Sequence, residues 1–186
     1  MINNLILENL LLLDIETVPA CTAFERLSPI MQELWLDKFA KTTPEIDQAA
    51  ARYSERAGIF AEFGKVICIS AGYFHKEADQ YHLRVKSFYG DDEKEVLQQF
   101  LKLADQFAQR KKDLFFAGHN IREFDVPYIC RRSLVHQLML PPVLQLHGLR
   151  PWEVRMVDTL HLWRFGDIKH YTSLKLLAAV LGVPTP

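Results

Sequence analysis

Cysteine is scarce in this chain of 186 residues: Cys21, Cys68 and Cys130 are widely spaced and odd in number. That pattern excludes a disulfide framework and a paired zinc motif, and it reads as reduced, mostly buried thiols in a cytoplasmic protein. Net charge is almost absent too, at −1. Proteins held mainly by phosphates tend to be basic, so a long electrostatic groove for duplex DNA is not expected. A local basic patch is still available from Lys111, Lys112, Arg122, Arg131, Arg132, Lys169, His170 and Lys175, although each alone reads first as a solvated surface charge. Long apolar runs are also missing. The N-terminal stretch is interrupted by Glu8 and Asn9 and ended by Asp14, which is too short for a signal peptide or a membrane span. What remains is an ordinary globular composition of ample size for one packed core.

Against that background one strand is anomalous. Leu10-Leu11-Leu12-Leu13 reads as buried, yet Asp14-Ile15-Glu16 follows directly. Successive strand side chains alternate sides, so the i, i+2 spacing projects both carboxylates onto one face. Carboxylates placed there are costly unless a cation or a partner compensates them, and hard oxygen ligands suit Mg²⁺ or Mn²⁺. The same spacing recurs at Glu45-x-Asp47, Glu77-x-Asp79 and Asp91-x-Glu93. Those pairs sit among polar or turn-forming neighbours and read as solvated surface; Asp14 and Glu16 interrupt a core strand.

A second signature lies far downstream. Leu114-Phe115-Phe116-Ala117 ends in Gly118-His119-Asn120, and Phe124-Asp125-Val126-Pro127-Tyr128-Ile129 opens a segment of helical periodicity. This reads as strand, turn, helix. Asp125 falls at or just inside the helix start, where the helix dipole favours negative charge and the carboxylate can face the end of the neighbouring strand. Taken alone, it reads equally well as a simple helix cap.

Asp14-Ile15-Glu16-Thr17 followed by Asn120-x-x-x-Phe124-Asp125, in that order, resembles the DnaQ-like superfamily of four-carboxylate 3′-to-5′ exonucleases. With Val18-Pro19 added, the first motif is most similar to the proofreading exonuclease of family B DNA polymerases and to small stand-alone bacterial relatives. Val157-Asp158-Thr159-Leu160 is similar to a strand-to-helix step in such enzymes, and Tyr171 to Leu177 to the helix before their last motif. The resemblance implies two Mg²⁺ or Mn²⁺ ions, with Asp14 bridging both, Glu16 on the water-activating one and Asp125 supporting the second. Asn120, Phe124 and Thr17 are carried over as substrate-binding or site-shaping neighbours. Asp158 opens a helix, and a capping role fits it better than a ligand role.

One part of the family pattern is not found. Its fourth carboxylate comes from Tyr-x-x-x-Asp or His-x-x-x-Asp beyond the Ser-Leu-Lys helix, whereas here that spacing occurs at His75-x-x-x-Asp79 alone. His75 and Asp79 lie in a polar stretch that reads as a hairpin turn. The expectation is a fragment that lacks a C-terminal helix and turns over poorly.

Periodicity predicts strands over 5–14, 65–74 and 81–89, the last two joined as a hairpin. A helix follows over 93–111 with Asp91 and Asp92 as caps, then a strand over 114–117, a helix over 124–138 and a short strand over 155–157. Helices from 159 to about 165 and over 173–181 complete the pattern. This is an α/β, ribonuclease H-like mixed sheet, a three-strand antiparallel meander plus parallel strands flanked by helices, formed by 1–186 as one exonuclease domain. Residues 20–64 make a helical insertion after the first strand. Ser28-Pro29 and Thr43-Pro44 each look like an N-cap followed by proline at the first helical position, which predicts helices over 29–40 and 44–57. The insertion either packs against the sheet or overhangs the metal site to guide a single strand. Trp35, Phe39 and Tyr53 would be core in the first case and base-stacking platforms in the second.

The functional expectation is a metal-dependent 3′-to-5′ exonuclease releasing nucleoside monophosphates from single-stranded nucleic-acid ends, DNA favoured over RNA, in proofreading or DNA repair, with no membrane partner. The alternatives are a non-catalytic nucleic-acid- or protein-binding module on the same scaffold, or trimming of short RNA, because contacts near the 2′ position are not legible in spacing.

Overall fold

The computed structural model describes residues 5–43 and 45–184, the side chains of residues 46 and 47 excepted. Five strands form one sheet: β1 (Leu10–Pro19), β2 (Gly64–Glu77), β3 (Gln80–Tyr89), β4 (Phe115–Gly118) and β5 (Met156–Asp158). Their order is β3-β2-β1-β4-β5. The first three pair antiparallel, and β4 and β5 add in parallel beside β1. This is the ribonuclease H-like mixed sheet. Among the described residues seven α-helices accompany it: α1 (Pro29–Phe39), α2 (Ile46–Ala51), α3 (Tyr53–Arg56), α4 (Glu93–Arg110), α5 (Asp125–Val135), α6 (Thr159–Arg164) and α7 (Leu174–Val180). Among the described residues no helix is long and apolar enough to cross a membrane.

The first strand differs from its expected limits. Residues 7–9 wind into a 3-10 turn, and β1 starts at Leu10 and runs past the acids to Pro19. The cause lies across the sheet: the long strand β2 pairs with β1 as far as Gly64 opposite Pro19. Asp14 and Glu16 therefore sit in mid-strand. Leu11, Leu13 and Ile15 form the buried face, opposite Tyr73, Ala71 and Ile69. The amphipathic helix α4 packs on that face through Val96, Leu97, Phe100, Leu101 and Ala104. Each such large apolar side chain contributes about 1.5–3 kcal/mol relative to exposure. Asp92 caps this helix by accepting from the Lys94 and Glu95 amides at 2.8 and 3.3 Å. The opposite face carries Leu12, Asp14 and Glu16 and is open to solvent at both acids.

The hairpin reading of His75-x-x-x-Asp79 holds. Ala78 and Asp79 both adopt left-handed backbone, φ 46° and 65°, the geometry of a two-residue turn between β2 and β3. Asp79 is exposed and pairs with Lys76.

The insertion builds a core of its own from Leu27, Trp35, Phe39, Ala49, Tyr53, Ala57 and Phe63. Trp35 and Tyr53 are fully buried, and the Trp35 indole donates to the Ala49 carbonyl at 2.8 Å. Burial removes Trp35, Phe39 and Tyr53 as base-stacking platforms. The expected second helix is broken at Arg52 into α2 and α3, followed by a 3-10 turn at 57–59. Ser28 occupies the N-cap position before Pro29 but its hydroxyl makes no cap bond, and Pro44 lies outside the described residues.

The insertion returns to the sheet through a buried polar node. Glu93 at the start of α4 accepts from Arg132 Nε and Nη2 (2.9 and 2.6 Å), from the Val66 amide (2.7 Å) and pairs with His136 Nε2 (2.7 Å). Arg132 also donates to the Ala61 carbonyl at 2.9 Å, and Tyr128 to that of Gly58 at 2.9 Å. Arg132 is thus committed to the interior and leaves the expected basic surface patch. Burial alone would raise the Glu93 carboxyl; the bonds from Arg132, His136 and Val66 outweigh it and hold it below its ordinary range.

Candidate active site

Asp125 is brought to the edge of the strand that carries Asp14 and Glu16. Parallel pairing with β4 covers only Leu10 to Leu12, opposite Phe115 to Ala117. Beyond Leu12 that side of β1 has no strand partner, and the chain after β4 turns back towards it. Gly118 makes the turn possible: a Cβ there would lie 2.6 Å from the Leu13 carbonyl oxygen and collide with Ile121. Asn120 follows in left-handed backbone at φ 63°, a conformation that asparagine tolerates better than most residues. The turn delivers Asp125 as the first residue of α5, and its Oδ1 accepts from the Ile15 amide at 3.0 Å. The Ile15 amide follows Asp14 directly in the chain, so the third carboxylate is docked beside Asp14, whose charge acts on it.

The electrostatics are those of an uncompensated acidic site. Burial, and after it the charge of Asp14, push the Asp125 carboxyl up to about 7; the Ile15 amide pulls the other way and Asp158 adds a smaller upward push. The helix dipole favours the ionised form, as expected, but desolvation and like charge win. Partial burial also raises Asp14. Among the described residues no Lys, Arg or His forms an ion pair with Asp14, Glu16 or Asp125. Three hard oxygen donors without a protein cation suit a divalent metal in kind. Among the described residues no three such side chains are already drawn to metal-holding distance, so binding requires closure of the exposed Asp14 and Glu16 onto Asp125.

The neighbours carried over from the family resemblance shape the site and do not line it uniformly. Phe124 is half-buried against Tyr128, with ring centroids 5.4 Å apart, and belongs to the main core. Thr17 follows an irregularity in the β1–β2 register and lies beside the Tyr128 hydroxyl. Asn120 turns its Oδ1 into the protein, where it has no partner. Asp158, expected as a cap, does accept from the Leu160 amide at 2.9 Å, but it also accepts from the Asn120 and Arg122 amides. His119 was not singled out beforehand. Its Nε2 donates to the Thr172 carbonyl and its Nδ1 meets Thr159 Oγ1, both at 2.8 Å, which ties the 166–173 segment to this turn. No sequence spacing advertises either tether, because the partners lie 36 to 53 residues apart.

Beside Asp14 runs a shallow groove of about 160 Å³ floored by Leu12, Ser70, Gly72, Val85 and Ala117. A larger cavity, about 580 Å³, lies over β4 and β5 and is lined by none of the three acids.

The family model described as DNA polymerase family B, exonuclease domain, matches residues 12–161, a span that contains both motifs and the turn between them. The chain belongs to this family. As a family B polymerase exonuclease domain it falls within the DnaQ-like superfamily. Among solved structures it is similar to the family B DNA polymerase from the hyperthermophilic archaeon Pyrobaculum calidifontis, at 18% identity and a TM-score of 0.49. That match covers 94% of this chain, which spans 18% of the polymerase. No curated protein matches.

Proposed function

We propose that the chain is a metal-dependent 3′-to-5′ exonuclease that hydrolyses phosphodiester bonds at single-stranded ends, DNA favoured, and releases nucleoside monophosphates. The observation that supports this reading is Asp125 docked on the Ile15 amide beside Asp14, with no cationic side chain among the described residues paired to Asp14, Glu16 or Asp125. Mg²⁺ or Mn²⁺ held by Asp14, Glu16 and Asp125 would supply the positive charge that activates water and steadies the phosphate oxygens. The protein's own contribution is orientation. Ile15 fixes one oxygen of Asp125, while the strand alternation of β1 holds Asp14 and Glu16 on a single face. Asp125, its carboxyl pushed up to about 7, would have to be deprotonated to serve as a ligand. The open groove beside Asp14 admits a single strand.

The test is trimming of a labelled oligonucleotide with Mn²⁺ present. Asp14→Ala should lower the rate by more than about 100-fold, roughly 3 kcal/mol of transition-state stabilisation; equal trimming by both proteins would remove the site assignment. With three carboxylates, the 186-residue chain should turn over slowly. Turnover equal to that of a four-carboxylate exonuclease would overturn that expectation.

A binding module on the same scaffold is the second reading, favoured by one observation: the acids are not yet gathered to metal distance. Divalent titration separates the two, since three competent ligands raise the melting temperature and a pure binding module does not respond.

A further inference from the structure

We propose that Asp158 is a positioning residue of the acidic site, holding the Gly118–Phe124 turn in the conformation that brings Asp125 to β1. This rests on the three-acid reading of the site. Asp158 ends β5, two strands from β1, and is 2% exposed. A buried carboxylate would ordinarily be neutralised by a basic side chain, but among the described residues none pairs with it. Three backbone amides satisfy it instead. Oδ1 accepts from Asn120 N at 2.8 Å and Leu160 N at 2.9 Å, and Oδ2 from Arg122 N at 3.0 Å.

Capping of α6 needs the Leu160 bond alone. The other two reach back into the turn between β4 and α5, and they can do so because Asp158 sits directly opposite Gly118 in the parallel pairing. Inside the turn Asn120 is in left-handed backbone; its carbonyl accepts from the Glu123 and Phe124 amides, but among the described residues its buried side-chain oxygen has no partner, so the side chain adds no brace. Bonds from amides to an ionised carboxylate are about twice as strong as neutral ones. Asp158 supplies two of them to the segment whose far end is Asp125. Without them the turn keeps its own backbone bonds and the His119 bonds to Thr159 and Thr172, but loses the two that fix Asn120 and Arg122 to β5, and Asp125 is placed on the Ile15 amide less firmly.

The decisive experiment is Mn²⁺ titration of the 186-residue chain, with free ion followed by electron paramagnetic resonance and melting temperature measured alongside. Asp158→Ser keeps a short N-cap oxygen for Leu160 and cannot span to the turn; Asp158→Asn keeps the shape but sets an amide donor against one of the three N–H groups. Both should weaken Mn²⁺ affinity by about 10-fold or more. Tyr53→Phe, in the separate core of the insertion, should lower the melting temperature and leave Mn²⁺ affinity as it is. If Asp14→Ala abolishes binding and the Asp158 variants bind as wild type, the positioning role is wrong and the site stands. Equal weakening by Tyr53→Phe would also overturn it, since general loosening would then suffice. If Asp14→Ala binds as wild type, the three-acid site falls and the role of Asp158 with it. Should Asp158→Asn fail to fold, Asp158→Ser decides alone.

Discussion

At the scale of single residues, Asp125 shows a site prepared at the expense of stability. Its carboxyl is raised from the ordinary 3.8 to about 7, so the folded chain binds a proton there over a range where the unfolded chain does not. Stability from this group is therefore present at low pH and declines as pH climbs from about 4 to about 7. Asp125→Asn keeps an oxygen for the Ile15 amide and removes the charge. At pH 8 without metal it should melt higher than wild type by about 5–10 °C, corresponding to roughly 2–4 kcal/mol. The gap should close near pH 4, and scanning calorimetry across that range measures it; coincident melting at pH 8 would refute the account from burial and like charge. The value of Asp14 and Glu16 was legible in sequence because strand alternation makes charge on a core strand conspicuous. The bonds of Asp158 were not, since nothing in Val157-Asp158-Thr159 distinguishes a cap for one amide from a brace for three.

Among the elements, the junction of β4 with α5 has no spare room. Gly118→Ala would push a methyl group into the Leu13 carbonyl and Ile121. It should cost about 1–3 kcal/mol by overpacking and weaken any response to Mn²⁺, both seen in thermal melts with and without the ion. The node joining α4, α5 and the insertion is a second sensitive point. Glu93→Gln leaves Arg132 buried without its counter-charge, at a cost of about 3–5 kcal/mol at neutral pH. Because the Glu93 carboxyl is depressed, its contribution is present above the unfolded carboxylate range and disappears as pH falls through the folded value. Chemical denaturation should thus show wild type and Glu93→Gln converging in acid, and a constant gap would contradict the ion-pair assignment. Helix and strand types were readable from periodicity. Their limits were not: β1 was shifted towards Pro19 by its pairing with β2, and the second helix of the insertion was broken while its aromatics turned inward around Trp35.

For the molecule as a whole, the prediction is a divalent-dependent gain in stability. At an Mn²⁺ concentration one hundred times its Kd, the melting temperature should rise by about 5–10 °C, and Asp14→Ala should erase the shift; no shift in wild type would favour the binding module. The sequence by itself determined the class of sheet and the order of its elements, and it singled out the three acids as candidates, because alternation, helical spacing and turn residues are local properties of the chain. It also determined the hairpin nature of His75 to Asp79. Only the tertiary structure decided that Asp125 docks on the Ile15 amide, that Arg132 is interior and that the insertion's aromatics are core. Each of those depends on partners many residues away, brought together because the sheet buries one face of β1 and leaves its other edge, past Leu12, free for the turn that carries the third acid.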